Sequence, residues 1–468
     1  MNIAPLYLIL IFLGTLVSII FMPDNPHPAG ALVFPGSILS CSLILIIFIE
    51  FIRKGIRGII RTQFILLFGI IYWVLSDVIQ GLYPVHAEKD VINYTFIAIG
   101  LFAGCVILGS SVSTRLLPRS IYRIAYIEPR SRQLFNLIVI CFLLGIFYYA
   151  YKSNFDITLM INGLTKGRFA APWSRGRFGG WDTFIEHLSY FSYLLPVLTV
   201  WLVYINKSWL NVKVFIAVLL TLTMILFIGQ AGSRSNVGAM VGSGLLFWVL
   251  IHIRKITITK ILIIATVVIS LLYTLNFMLE VRNTGVENLD NIEQKQGIST
   301  IHVDDNFLRI VQTIKYFPEY KDYAGMQWII YALVRPVPRV FWPDKPDSSG
   351  VEINAVVQSY GASLSSSILG ESYGAFGWFG IIGTGLFFGL LGSATNRILL
   401  LPGQKSAALI YSLCTMALFL GLRSLINLVL MTYPILALWF LTVIFRRQLF
   451  RQKTNVQNTS INQLQQSH

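Results

Sequence analysis

The sequence predicts an all-α, polytopic integral membrane protein with about twelve transmembrane helices. Three observations carry that prediction. Apolar runs of about 20 residues, the length a helix needs to cross a bilayer, recur along most of the 468 residues. Only 12% of the residues are charged and 55% are hydrophobic, whereas soluble domains carry roughly 25% charged residues. Basic residues also crowd into alternate connections between the runs, as they do on the cytoplasmic side of membrane proteins.

In order, the runs lie near residues 3–22, 31–52, 63–83, 91–111, 133–151, 184–204, 214–231, 236–251, 261–279, 371–392, 406–422 and 425–445. The first has no basic n-region and no small-residue cleavage site, so it is expected to be a retained helix rather than a signal peptide. Cys41, Cys105, Cys141 and Cys414 all fall inside runs and read as packing residues, with no disulfide or metal role. Gly238 with Gly242, and Gly385 with Gly389, have the small-xxx-small spacing of closely packed helices.

The net charge of +15 records topology and implies no nucleic-acid partner. With the N-terminus inside, the connections on that side hold 20 of the 36 Lys and Arg residues and only two acids, Glu50 and Glu128. Both termini are then cytoplasmic. One transmembrane domain covers residues 1–445, and the polar, Asn/Gln-rich tail 446–468 has too little apolar surface to fold. The outer face receives a medium loop at about 152–183, a tight turn at "GSRSN", a large loop at about 280–370, and a turn at Arg423. The Lys and Arg residues lie in loops or at span ends, which counts against a flippase or exporter, since transport needs ionisable groups near the bilayer midplane.

The outward cations form several sets. Lys166, Arg168, Arg175 and Arg177 share "LTKGRFAAPWSRGRFGGWD" with no acid between the first and last. Such a run suits a phosphate-bearing lipid, or is a solvated surface loop. Arg234 stands where a returning helix begins, and a helix N-terminus with a forked donor beside it is an anion site. The "YAGMQWIIYAL" stretch, 323–333, is too short to span and suits an interfacial helix, with Trp328, Tyr331, Phe341 and Trp342 at headgroup depth. "VRPVPRVFWPDKPDSSG" follows it. Four prolines there forbid regular helix and predict an extended path that holds Arg335, Arg339 and Lys345 at the membrane surface.

"RPVPRVFWPDKP", then "LGESYGAFGWFGIIG" from Leu369 to Gly383, with "GSRS" upstream, resembles the Wzy-type O-antigen and oligosaccharide repeat-unit polymerases. An Arg-x10-Gly spacing, found twice in the outer loops of that family, fits Arg168 to Gly179 and Arg339 to Gly350. The resemblance implies a GT-C-like glycosyltransferase of the bacterial cytoplasmic membrane whose active site faces the periplasm or exterior. It would move a growing glycan from undecaprenyl diphosphate onto the non-reducing end of a lipid-linked repeat unit. Its partners would be undecaprenyl-diphosphate-linked oligosaccharides, the bilayer, a flippase and a chain-length regulator. An O-antigen-ligase-like transferase, which shares the donor, and a lipid-linked-oligosaccharide flippase or exporter stay open as alternatives.

Breaking a glycosyl–phosphate bond builds negative charge on the leaving diphosphate, and groups aimed at that charge lower the barrier. Arginine can bind it bidentately without a metal, so no metal or cofactor is expected; the candidates are Arg234, Arg335, Arg339 and Arg423. The acceptor hydroxyl must also lose a proton to a base in hydrogen-bond reach. Glu371, at the outer end of a span inside "GESYGAFG", is the first candidate, with Asp182, Glu186, His187, Asp304 and Asp305 as rivals. "HVDDN", His302 to Asn306, reads as a turn or loop. Trp173, Trp181, Trp342, Tyr373 and Trp378 are candidate sugar-stacking or packing residues.

Overall fold

The structure is a computed structural model that describes residues 3–112, 124, 128–167, 170–174, 182–208, 211–230, 234–253, 258–284, 302–339, 341–354, 364–401, 405–444 and 450–451. Arg168, Arg175, Arg177, Gly179, Trp181, much of the large loop and nearly all of the tail lie outside those residues. So do the side chain of Asp182 and the first two residues of the "GSRSN" turn.

Each of the twelve apolar runs is helical. Among the described residues nine helices are long and apolar enough to cross a membrane: Val33–Lys54, Thr62–Ile79, Lys89–Ser111, Ser131–Lys152, Phe184–Asn206, Val212–Gln230, Arg234–His252, Ser367–Leu400 and Leu425–Ile444. Ala4–Ile20, Leu262–Met278 and Lys405–Gly421 are apolar but shorter. In lipid a helix is favoured because it satisfies every backbone N–H and C=O within its own segment. Prolines within the runs sit where they cost least, in the first turns of Ala4–Ile20, Val33–Lys54, Leu195–Asn206 and Tyr433–Ile444, where an N–H has no intrahelical partner anyway.

The centre of the bundle is the pairing of Lys89–Ser111 with Ser367–Asn396. A Cβ added at Gly385 would lie 2.7 Å from the Cβ of Cys105, and one at Gly389 would lie 2.8 Å from the Cα of Gly109. The spacing of small residues therefore marks a true backbone-to-backbone crossing. The Gly238 and Gly242 pair is looser. Gly242 faces only the tip of Met416, and the nearest atom to a Cβ on Gly238 is 3.9 Å away. Three of the cysteines are buried and Cys41 is exposed; all four are free thiols.

Ser367–Asn396 is broken at Phe376 and Gly377, the latter at φ +60°, a conformation that glycine adopts at no steric cost. The break frees carbonyls, and the backbone N–H groups of Ala324 and Gly325 donate to Gly374 and Ala375 at 3.0 and 2.9 Å. The large loop is thus tied to the kink. Within that loop Asn306–Tyr316 is a helix whose Phe307, Ile310, Val311 and Ile314 are buried. A second helix, Met326–Val334, fills the expected 323–333 position. The proline segment after it differs from expectation: it is a chain of tight turns, not an extended strand. Phe341 and Trp342 both donate their backbone N–H to the Pro338 carbonyl, and Lys345 Nζ donates to the carbonyls of Arg335 and Val337 at 3.0 and 2.8 Å. Proline fixes φ near −65°, and that value serves turns as well as extended chain.

Candidate functional site

Polar groups from four separate parts of the chain meet at one end of the bundle. Asp77 is a lone acid in the last turn of Thr62–Ile79, and it is buried. Its Oδ1 accepts the Val303 backbone N–H at 2.9 Å. Its Oδ2 lies 2.6 Å from His302 Nδ1, an approach short in distance but bent away from the hydrogen-bond line. Arg234, at the start of Arg234–His252, forks onto the same segment: Nη1 donates to the His302 carbonyl at 2.6 Å and Nη2 to the Val303 carbonyl at 2.7 Å. Arg423 completes the ring, with Nε donating to Asp304 Oδ2 at 2.8 Å.

The short segment 302–304 is therefore clasped by two arginines and one buried carboxylate. Asn306 extends the clasp by donating from Nδ2 to the Trp73 carbonyl at 2.9 Å. The turn that carries Arg423 is itself fixed. Its carbonyl accepts from Ser365 Oγ at 2.8 Å, and Ser424 caps the following helix through the Asn427 N–H. Arg423 is 30% exposed, and its two terminal nitrogens take no partner among the described residues. They form a forked pair of donors, the shape that fits two oxygens of a phosphate.

Charge around His302 is balanced in a specific way. Contact with the Asp77 carboxylate raises the imidazole above the ordinary histidine range; burial and the nearby Arg234 oppose that rise, and Asp304 adds to it. His302 lines an open cleft of about 410 Å³ with Leu82, Tyr83, Asp305 and Leu308. Asp305 also pairs with Arg309, one helical turn on.

The remaining predicted residues take other places. Glu371 is a fastener: its Oε2 accepts the Trp328 indole N–H at 3.1 Å and the Leu425 backbone N–H at 2.9 Å, joining three helices. Trp328 is consequently buried within the protein. Arg339 is turned onto its own segment, donating to the Pro343 carbonyl at 3.1 Å and pairing with Asp347. Arg335 lies against Tyr331, with its guanidinium 5.9 Å from the ring centroid. Lys345 is buried, and burial, then Arg335 and Arg339, hold its ammonium below the usual lysine range. It staples the turns together.

Among the aromatics, Trp173 is a packing residue. It is buried against Tyr149 and Phe227, with its indole N–H donated to Gln230 Oε1 at 2.7 Å. Gln230 in turn donates to the Lys166 carbonyl, which ties the medium loop to the end of Val212–Gln230. Tyr373 is buried between Tyr323 and Trp378, at ring separations of 6.1 and 5.6 Å. Trp342 is 40% exposed and so is open to a ligand.

Two residues of the clasp escaped the reading of the sequence as site members: His302 and Asp77. The available signal was Asp77 itself, a single carboxylate in an apolar run, which in a membrane helix is costly unless paired. Comparison with known protein families, with curated proteins and with solved structures finds no match, so the chemistry of these residues carries the functional reading.

Proposed function

We propose that this chain is a polysaccharide polymerase, a metal-independent glycosyltransferase of the bacterial cytoplasmic membrane. It would transfer a growing glycan from undecaprenyl diphosphate to the non-reducing end of a lipid-linked repeat unit, at the outer face of a twelve-span, GT-C-like bundle. The observation that carries this reading is the convergence of Arg234 and Arg423 on the single segment 302–304. These two arginines stand in the "GSRS" turn and in the last outer turn, and a site that must meet a departing diphosphate needs fixed positive charge at one point. Arg423 supplies the fork, and Arg234 holds the segment on which its partner Asp304 stands.

Arg335 and Arg339 belong to the same reading as a rim, beside the exposed Trp342, where they would meet lipid headgroup or sugar. A deletion strain tests the proposal. Single-repeat surface glycan, returned to long chains by the wild-type protein, supports a polymerase. Long chains that stay on lipid would mean a ligase, and lipid-linked units retained inside the cell would mean an exporter; either result overturns the proposal.

A further inference from the structure

We propose that His302 is the general base of this transfer and that Asp77 is the residue that positions it. The inference rests on the polymerase reading and adds the residue that takes the acceptor's proton. Both Asp77 oxygens are turned toward 302–303, and Oδ1 is anchored by the Val303 N–H, so the carboxylate cannot swing away from the imidazole. A carboxylate 2.6 Å from Nδ1 favours the tautomer with its proton on that nitrogen. Nε2 is then the acceptor left to the cleft. The contact is bent in the free protein, a common state for catalytic hydrogen bonds before substrate closes the site.

The position of the ring matters as much as its tautomer. His302 is 42% exposed at its side chain and lines a cleft of about 410 Å³, within the range of small-ligand pockets. Two residues along the chain lies Asp304, which carries Arg423. Two residues of extended chain span at most about 7 Å, so the base and the carboxylate that holds the anion fork stand on one short, clasped piece of backbone. One site can therefore hold an acceptor hydroxyl at Nε2 and a diphosphate at Arg423.

The step balances with the residues named. The acceptor O–H gives its proton to Nε2, and its oxygen forms the new bond to the anomeric carbon. The bond from that carbon to the phosphate oxygen breaks, and its electron pair leaves with the polyprenyl diphosphate. The imidazolium then returns the proton to water. The charged and titratable groups that face the ring are Asp77 from its span, Arg234 from the neighbouring helix, Asp304 and Asp305 on its own segment, and Tyr83 across the cleft. Asp77 has the largest influence, so the rate should fall as pH drops through a value above about 6.5, the ordinary histidine pKa.

The test uses the full-length protein in liposomes with undecaprenyl-diphosphate-linked repeat units extracted from the deletion strain. His302→Gln should lose about 10²- to 10⁴-fold in extension rate, the usual worth of a general base, while still being stabilised against heat by the extracted lipid. Free imidazole should restore part of the rate to His302→Ala. Asp77→Asn should move the acid limb of the pH–rate profile to lower pH, an effect that a merely structural carboxylate would not produce. Should His302→Gln fail to fold, the Asp77→Asn limb decides. A His302→Gln rate within threefold of wild type, or an unmoved limb in Asp77→Asn, overturns the base assignment while leaving the polymerase intact. Wild-type protein that extends nothing overturns the polymerase reading itself.

Discussion

Replacing Arg234 separates two jobs that one guanidinium performs, charge and geometry. In the structure it makes two short charge-assisted bonds to adjacent carbonyls, those of His302 and Val303. Bonds of that type contribute about 1.5–3 kcal/mol each. The site is half-buried and water can replace part of the loss, so Arg234→Ala should weaken docking of 302–304 by about 2–4 kcal/mol, somewhat less than the combined about 3–6 kcal/mol. At about 1.4 kcal/mol per tenfold, that raises the undocked population of the segment by roughly 30- to 700-fold. Arg234→Lys restores the charge but offers a point donor where a fork is needed, so it should recover less than half of the lost free energy. Hydrogen exchange at the Val303 amide, which Asp77 holds, reads the docking directly, and chain length in the complemented deletion strain reads function. Wild-type exchange and wild-type chains in Arg234→Lys would refute the clasp; they would mean that Arg234 acts by charge alone.

Three other outcomes follow from the geometry. Glu371→Gln keeps an oxygen for the Trp328 and Leu425 donors and should preserve chain extension, whereas Glu371→Ala leaves a backbone N–H without its partner and should cost about 1–3 kcal/mol in thermal unfolding; loss of extension in the Gln variant at normal stability would return Glu371 to the catalytic role. Gly389→Val drives a side chain into the Val106 and Gly109 backbone and should destabilise by about 1–3 kcal/mol or more, while Gly238→Ala, with 3.9 Å of clearance, should leave the melting temperature within error. The His302–Asp77 pair also makes stability depend on pH. The folded imidazole is held above its ordinary range, so its contribution is complete below about pH 6.5 and fades as pH rises through the folded value. The gap in melting temperature between wild type and His302→Gln should accordingly narrow as pH rises above about 6.5, and a gap that widens would contradict the pairing.

The sequence by itself determined the helices, because a run of apolar residues in lipid can satisfy its backbone only internally. It also determined the crossing at Gly385 and Gly389, since a small residue every fourth position puts one bare stripe on one helix face. The short helix at 326–334 was legible from the length of its apolar run. The clasp was not. Asp77, Arg234, His302 and Arg423 come from four distant places in the chain, and only the packing of the spans brings them to one end. The role of Glu371 was hidden for the same reason: the motif around it is local, but the Trp328 and Leu425 donors that occupy it arrive from other helices. The turns of 334–350 depended on Lys345 finding the Arg335 and Val337 carbonyls, a choice that four prolines permit and do not compel. Local hydrophobicity decides which segments become helices; which polar groups then meet depends on how those helices pack, and only the tertiary structure records that.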